Sequence, residues 1–273
     1  MGKFSGILIC TDLDGTLFRG DKTISGENKR AIEYFMSEGG YFTFVTGRMP
    51  YYSRSAYEAV GPNAPFGCIN GGGIYDGAEK KYVKACTLPR DVVELVQYVD
   101  ELFPEVGIQM CAHERTFFSK ENGVMKTFRQ ITGVPNLVCP YREVTEPVGK
   151  VLFGTDSEQE MQALAKALKE HPRATEFDFI RSERTLFEIL PKGVNKGLAI
   201  TGLAEHLGVD IGKTVAVGDY DNDVGMFRAA RLGIAVANAS PAAMAAADLV
   251  TVSNEEHAIA KIIYDLESGA IRL

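Results

Sequence analysis

Asp12-Leu13-Asp14-Gly15-Thr16 follows directly on a short apolar run, Ile7 to Thr11. A continuous apolar run of this length that ends in turn residues is typical of a buried strand. Two aspartates that stand two residues apart project to the same face of an extended chain. The sequence therefore predicts a buried strand that carries a pair of carboxylates at its carboxyl end.

Strand-like and helix-like segments alternate after this first strand. A second strand is predicted from Tyr41 to Val45, a helix from Pro50 to Val60, and a third strand from Phe66 to Ile69. The same alternation resumes at Gly193 and continues towards the C-terminus. This pattern predicts an α/β fold with a doubly wound, Rossmann-like core of parallel strands.

The alternation is interrupted between about Lys84 and Pro191. Apolar residues from Leu95 to Leu102 have helical spacing, and short strand-like runs follow, among them Val106 to Cys111 and Thr185 to Leu190. These segments predict an inserted α+β domain at residues 85–190. The core domain would then be discontinuous, with residues 1–84 and 191–273.

Composition excludes several classes of protein. The net charge of −7 opposes binding to nucleic acid or to an anionic membrane surface. The five cysteines are odd in number and show no C-x-x-C spacing, which favours reduced thiols and a cytoplasmic location. Apolar stretches all fall short of the roughly 20 residues that a membrane helix needs. We expect a monomer or a homodimer.

Four short polar pieces stand at predicted strand ends or helix starts. They are Asp12 to Thr16, Thr46-Gly47-Arg48, Asn195-Lys196-Gly197, and Gly218 to Asp223. Each piece alone is weak evidence, because Asp-Gly after a strand is often only a turn. Ligands in open α/β sheets bind beyond the carboxyl ends of the strands, so the pieces together predict one polar cleft.

Three carboxylates would meet in that cleft, those of Asp12, Asp14 and Asp219. Like charges at such short range repel unless a cation lies among them. Oxygen ligands without histidine or cysteine favour a hard ion, and Mg²⁺ is the usual ion beside a phosphate. An EF-hand is excluded, because Val224 and Ala230 occupy the positions of its glycine and its bidentate glutamate.

In this order, the four pieces resemble the motifs of the haloacid dehalogenase-like hydrolase superfamily. The insertion resembles the large α/β (type IIB) cap of its Cof-type subfamily, as do Asn70-Gly71-Gly72 and the stretch Glu188 to Gly193. The resemblance implies a phosphatase that uses Mg²⁺ and forms a phospho-aspartate. Its substrate would be a small phosphorylated metabolite, first a sugar phosphate and next a phosphorylated cofactor.

The resemblance also assigns catalytic roles. Asp12 would be the nucleophile, and Asp14 the general acid and then the general base. The carboxylates of Asp12 and Asp219 and the main-chain carbonyl of Asp14 would bind Mg²⁺. Thr46 and Lys196 would hold the phosphoryl oxygens. Relatives that cleave carbon–halogen bonds lack the second aspartate, so the presence of Asp14 favours phosphate chemistry.

The remaining candidate residues are expected to bind substrate or to orient other groups. Asn222 would hydrogen-bond the phosphate or a bound water, and Asp223 would orient Lys196 or the waters on the metal. Gly47, Arg48 and Asn70 lie near the predicted cleft, and we expect them to contact substrate.

Two other functions stay open. A phosphomutase or phosphotransferase would use the same motifs and would pass the phosphoryl group to a sugar hydroxyl. A noncatalytic sensor would only bind a sugar phosphate, but it would have no need of an acid–base group at Asp14.

The chain departs from the subfamily pattern at one place near the C-terminus. His257-Ala258 stands where Gly-Val is usual. The position lies at a predicted helix start, remote from the four polar pieces, and puts little of the functional interpretation in doubt.

Overall fold

The computed structural model describes residues 2–273, whose contacts divide into two compact units. The first contains the residues up to Arg48, Ser53–Lys84 and Asn195–Leu273, and the second contains Met49–Tyr52 and Ala85–Val194. Compared with the predicted boundaries, the second unit extends to Val194 and includes a short segment after Arg48. That segment belongs there because the Tyr51 hydroxyl lies 2.5 Å from the Thr116 hydroxyl.

The elements are numbered in chain order. The strands are β1 (Leu8–Thr11), β2 (Tyr41–Phe44), β3 (Phe66–Cys68), β4 (Gly73–Asp76), β5 (Lys81–Ala85), β6 (Gly107–Ala112), β7 (Thr116–Lys120), β8 (Leu137–Val138), β9 (Val148–Gly154), β10 (Phe177–Glu183), β11 (Leu186–Pro191), β12 (Thr214–Gly218), β13 (Leu232–Ala235) and β14 (Leu249–Val250). The helices are α1 (Gly26–Ser37), α2 (Arg54–Val60), α3 (Val92–Leu102), α4 (Gly123–Thr132), α5 (Glu158–Glu170), α6 (Lys196–Leu207), α7 (Val224–Ala229), α8 (Pro241–Ala246) and α9 (Ala258–Ser268). Among residues 2–273, none of these helices is both long and apolar enough to cross a bilayer.

A five-stranded parallel sheet forms the centre of the first unit, in the order β14-β13-β12-β1-β2. Strand β1 is an inner strand of this sheet, and its Leu8 pairs with Thr214 on one side and Tyr41 on the other. Helix α1 packs against α9, and α6 packs against α7. All four residues of β1 are buried, so side chains on both faces of the strand must be compatible with burial. This explains the apolar run that precedes Asp12. The predicted α/β fold is confirmed.

The predicted third strand lies outside this parallel sheet. Strand β3 forms an antiparallel sheet with β4 and β5, and a single parallel bridge, Val45 to Gly67, joins it to the edge of the main sheet. It ends at Cys68, where a buried turn, Ile69–Gly71, begins. The turn therefore comes directly after a strand that lies beside β2.

The second unit is an α+β domain with a core of its own. Its six-stranded sheet has the order β10-β11-β9-β6-β7-β8, and its core includes Val99 of α3, Leu164 of α5 and Phe153 of β9. Among the buried side chains of this sheet, the Lys150 ammonium lies 2.9 Å from the Glu188 carboxylate. The additional sheet domain agrees with the predicted inserted cap.

Candidate active site

Asp12 stands where β1 ends. Its backbone N–H donates to the Val217 carbonyl oxygen at 2.8 Å, which continues the parallel ladder towards β12. The Thr11 hydroxyl donates to the Asp12 carbonyl oxygen at 2.8 Å. The residue is only 8% exposed, so the sheet holds its carboxylate in a fixed and largely desolvated position.

Lys196 begins α6, and its ammonium lies between two carboxylates. Its Nζ is 2.5 Å from Asp12 Oδ1 and 2.5 Å from Asp223 Oδ1, although the residue is only 1% exposed. Asn195 caps this helix by accepting a hydrogen bond from the Gly197 N–H. Burial by itself would lower the pKa of Lys196, but the two carboxylates outweigh it and raise that pKa.

Asp223 holds the acidic loop in place through both oxygens of its carboxylate. One of its oxygens binds Lys196, and the other, Oδ2, accepts the backbone N–H groups of Asp219 at 2.8 Å and Tyr220 at 2.9 Å. Both carboxylate oxygens therefore have partners within the protein. This arrangement suits a residue that positions Lys196, which is one of the two roles expected for Asp223, and it also holds the backbone of Asp219.

Asp219 completes a cluster of acids that could hold a metal ion. Oxygens of Asp12, Asp219 and Asp223 lie within 4.8 Å of one another, and Asp219 Oδ1 accepts a hydrogen bond from the Thr16 hydroxyl at 2.7 Å. Burial raises the pKa of Asp219 to about 6, and neighbouring Asp223 adds to this shift. Burial also raises the pKa of Asp12, with further contributions from Asp223 and Asp219. A hard cation among these oxygens would relieve the repulsion that the shifts express.

The Asp14 side chain points to two cations and is not part of that cluster of side-chain oxygens. Its carboxylate lies 2.6 Å from the Arg48 guanidinium and 2.8 Å from the Lys22 ammonium. Burial would raise the pKa of Asp14, but Arg48 and Lys22 outweigh it and lower that pKa. The two cations therefore favour the ionised form of Asp14. Arg48, which we expected to contact substrate, forms an ion pair with Asp14 in this structure.

Thr46, Asn70 and Asn222 come together through a chain of hydrogen bonds. Thr46 is 3% exposed, and its hydroxyl oxygen accepts the Arg48 N–H at 3.2 Å, so the hydroxyl can still donate. Asn70 is fully buried and its N–H donates to the Thr46 carbonyl oxygen at 3.1 Å. The Asn222 amide donates to Asn70 Oδ1 at 3.2 Å. Gly47 lies against the Asn70 side chain, since a Cβ on Gly47 would be 2.9 Å from Asn70 Oδ1.

The sequence interpretation missed four residues that support the acids. Thr16 binds Asp219 and Lys22 binds Asp14, as described above. The Asn238 amide donates to the Gly15 carbonyl oxygen at 2.8 Å, and the Ser240 N–H donates to the Asp219 carbonyl oxygen at 2.8 Å. Thr16 lies in the first of the four polar pieces, whereas Lys22, Asn238 and Ser240 lie outside all four, and no local pattern predicts their contacts with the acids.

Comparison with known proteins identifies the family of the chain. The family model of the haloacid dehalogenase-like hydrolases matches residues 9–263, and the chain belongs to that family. It is 27% identical over 260 residues to the 5-amino-6-(5-phospho-D-ribitylamino)uracil phosphatase YitU of Bacillus subtilis, with 94% of this chain and 96% of YitU covered.

Solved structures share the whole fold. TM0651 from Thermotoga maritima is 26% identical with a TM-score of 0.80, and 98% of each chain is covered. The subclass IIB sugar phosphatase BT4131 is 22% identical with a TM-score of 0.83, over 97% of this chain and 100% of that one. The predicted superfamily, the capped α/β fold and the phosphatase class of enzyme are confirmed.

Proposed function

We propose that the protein is a Mg²⁺-dependent phosphomonoester hydrolase that forms a phospho-aspartate on Asp12. The observation that carries this proposal is the position of that carboxylate. It is 8% exposed, it stands at the carboxyl end of an inner strand of the parallel sheet, and its Oδ1 lies 2.5 Å from the Lys196 ammonium. An acid held in this way can present its other oxygen to an incoming phosphoryl group.

The reaction would have two halves. In the first, an Asp12 oxygen forms a bond to phosphorus, the ester P–O bond breaks, and Asp14 gives a proton to the departing alcohol oxygen. In the second, the Asp14 carboxylate takes a proton from water, whose oxygen attacks the phosphorus and releases phosphate and the Asp12 carboxylate. The lowered pKa of Asp14 suits its role as base in the second half. The first half requires Asp14 in its protonated form, which the contacts with Arg48 and Lys22 disfavour, so these contacts must loosen before the proton is given to the alcohol oxygen.

Cationic and hydroxyl donors would stabilise the charge on the phosphoryl oxygens. We assign this role to the Thr46 hydroxyl and to the third N–H of the Lys196 ammonium. A bound Mg²⁺, held by the carboxylates of Asp12 and Asp219 and the main-chain carbonyl of Asp14, would polarise the phosphoryl group. The oxygen-only donor set and the raised pKa of Asp219 support a hard cation there.

The names of the relatives support a proposal for the substrate class. YitU is named for a phosphorylated ribityl compound and BT4131 as a sugar phosphatase, so both names refer to phosphate on a polyhydroxylated carbon chain. We infer a sugar phosphate as the first candidate, with a phosphorylated cofactor next, and assign substrate selection to the inserted domain. The absence of nucleic-acid and membrane partners, the cytoplasmic location and the monomeric or homodimeric state stay predictions.

The test is phosphate release from sugar phosphates, nucleotides and phosphorylated vitamins, with Mg²⁺ and with chelator. We expect release that requires Mg²⁺ and falls at least about 10³-fold in Asp12→Asn. Asp221→Asn is the matched control, because Asp221 belongs to the same acidic loop but its carboxylate binds Ser240, and it should retain activity.

Other outcomes would contradict the proposal in distinct ways. An isomerised sugar phosphate without free phosphate would favour a phosphomutase or phosphotransferase. Tight binding of sugar phosphates with no turnover, and with Asp12→Asn indistinguishable from the parent, would favour a sensor.

A further inference from the structure

The turn Ile69–Gly71 has an unusual backbone. Ile69, Asn70 and Gly71 all have positive φ, at 56°, 51° and 93°, and all three are buried. Positive φ is a genuine outlier for a β-branched residue such as Ile69. Strain of this kind persists only where the surrounding structure fixes it, and it clusters at functional sites.

Hydrogen bonds join this turn to the segment that carries Thr46. The Ile69 N–H donates to the Arg48 carbonyl oxygen at 3.0 Å, and the Asn70 N–H donates to the Thr46 carbonyl oxygen at 3.1 Å. The Thr46 N–H in turn donates to the Gly67 carbonyl oxygen at 3.0 Å. The loop after β2 is therefore fastened to the turn by main-chain bonds on both sides of Gly47.

The same turn touches two more of the four polar pieces. A Cβ on Gly71 would lie only 1.9 Å from the Asn195 carbonyl oxygen, so the turn abuts the residue that precedes Lys196. On its other side, Asn70 Oδ1 accepts a hydrogen bond from the Asn222 side chain at 3.2 Å. One strained turn thus contacts the segments of Thr46, Lys196 and Asn222.

We infer that Asn70 is a positioning residue, which acts on the reaction through Asn222 and not through contact with substrate. Its side-chain oxygen fixes the orientation of the Asn222 amide, and the left-handed turn keeps that oxygen in place. This inference rests on the proposed function and on the expectation from the sequence that Asn222 hydrogen-bonds the phosphate or a bound water. It replaces our expectation that the fully buried Asn70 contacts substrate.

The test variant is Asn70→Gly, which keeps the positive φ without steric cost and removes the side-chain acceptor. It is compared with Asn222→Ala and with the double variant, using p-nitrophenyl phosphate and two sugar phosphates. We expect kcat to fall about tenfold or more in Asn70→Gly, by a similar factor for every substrate. If Asn70 acts through Asn222, the double variant should match Asn222→Ala within about twofold.

A matched control separates positioning from stability. Asn63 has a comparable structural role in the first unit, because its side chain accepts the Phe42 N–H and donates to the Gly40 carbonyl oxygen, both at 2.9 Å. Asn63→Ala should lower the melting temperature and leave kcat unchanged. An equal loss of kcat in Asn63→Ala and Asn70→Gly would overturn the inference.

Two further results would overturn it. Multiplicative losses in the double variant would show that Asn70 acts independently of Asn222, and a rise in KM for one substrate only would make Asn70 a substrate contact. Calorimetric binding of inorganic phosphate with Mg²⁺ present repeats the comparison without turnover. If the parent protein has no Asp12-dependent hydrolysis, the proposed function fails, while the phosphate affinities of the same four proteins still decide this inference.

Discussion

Lys196 shows how much a single buried charge depends on its partners. Its ammonium is almost inaccessible to solvent and has the carboxylates of Asp12 and Asp223 as partners, each at 2.5 Å. Removing one member of a buried ionic group leaves the others desolvated and unpaired, which costs far more than losing a surface ion pair. The stability of the first unit should therefore depend on this lysine, apart from any role in catalysis.

We expect Lys196→Met to lower the free energy of unfolding by about 3–5 kcal/mol, measured by urea denaturation without metal. Lys261→Met is the matched control. Lys261 pairs with Asp265 one helical turn away and is 47% exposed, so its loss should cost no more than about 0.5 kcal/mol. Similar values for the two variants would contradict the argument.

Sequence patterns located the acids but not the partners of their side chains. Asp12, Asp14 and Asp219 follow strands, and strand ends can be found from apolar runs. That Arg48 and Lys22 bind Asp14 depends on how loops after different elements meet, and no local pattern encodes this. The proposed chemical roles of these residues stay predictions.

The backbone at His257 explains why glycine is usual at this position in the subfamily that the sequence resembles. Its φ is +64°, a conformation that favours glycine, and glycine is usual there in the subfamily that the sequence resembles. The imidazole Nδ1 lies 3.0 Å from the Ser25 hydroxyl, which caps α1.

Among the elements, the turn that follows β1 contains Gly15, whose backbone has positive φ and lies against Asp219 of the acid cluster. Gly15 has φ +85°, and a Cβ there would lie 2.5 Å from Asp219 Oδ2. Gly61, at the end of α2, also has positive φ, but a Cβ there would meet nothing within 4 Å. The two glycines share the backbone requirement and differ only in what surrounds them.

Gly15→Ala and Gly61→Ala should therefore separate strain from displacement of an acid. Each should lose about 1–2 kcal/mol of stability through left-handed strain. Only Gly15→Ala should also displace Asp219, and we expect the Mg²⁺ concentration for half-maximal phosphate release to rise about 10–100-fold. An unchanged Mg²⁺ requirement in Gly15→Ala would argue against Asp219 as a ligand.

The order and type of most elements could be predicted from the sequence, whereas their lateral arrangement could not. The pattern at Phe66 to Ile69 does indicate a strand, but its detachment from the parallel sheet depends on pairing with β4 and β5. The predicted helix from Pro50 to Val60 begins as a short 3-10 turn, Pro50–Tyr52, and α2 starts only at Arg54. Tyr51 and Tyr52 pack in the second unit, and this tertiary contact interrupts the helix.

For the molecule as a whole, the acid cluster links stability to pH and to metal. The pKa of Asp219 is raised to about 6 in the folded protein, above its usual value near 3.8. The folded state therefore binds more protons than the unfolded state between these values, so this group's contribution to stability is lost as pH rises from about 4 to 6. Asp12, whose pKa is also raised, acts in the same direction.

We therefore expect Asp219→Asn to melt at a higher temperature than the parent at pH 7.5 without metal, and the difference to shrink at pH 5. The substitution removes the titrating charge and keeps the oxygen that accepts the Thr16 hydroxyl. If Mg²⁺ binds the ionised Asp219 carboxylate, as proposed, adding it should raise the melting temperature of the parent more at pH 7.5 than at pH 5. It should raise the melting temperature of Asp219→Asn less than that of the parent. Thermal melts of both proteins at the two pH values, with Mg²⁺ and with chelator, test this linkage. A difference that is independent of pH would show that repulsion among these acids does not limit the stability of the metal-free protein.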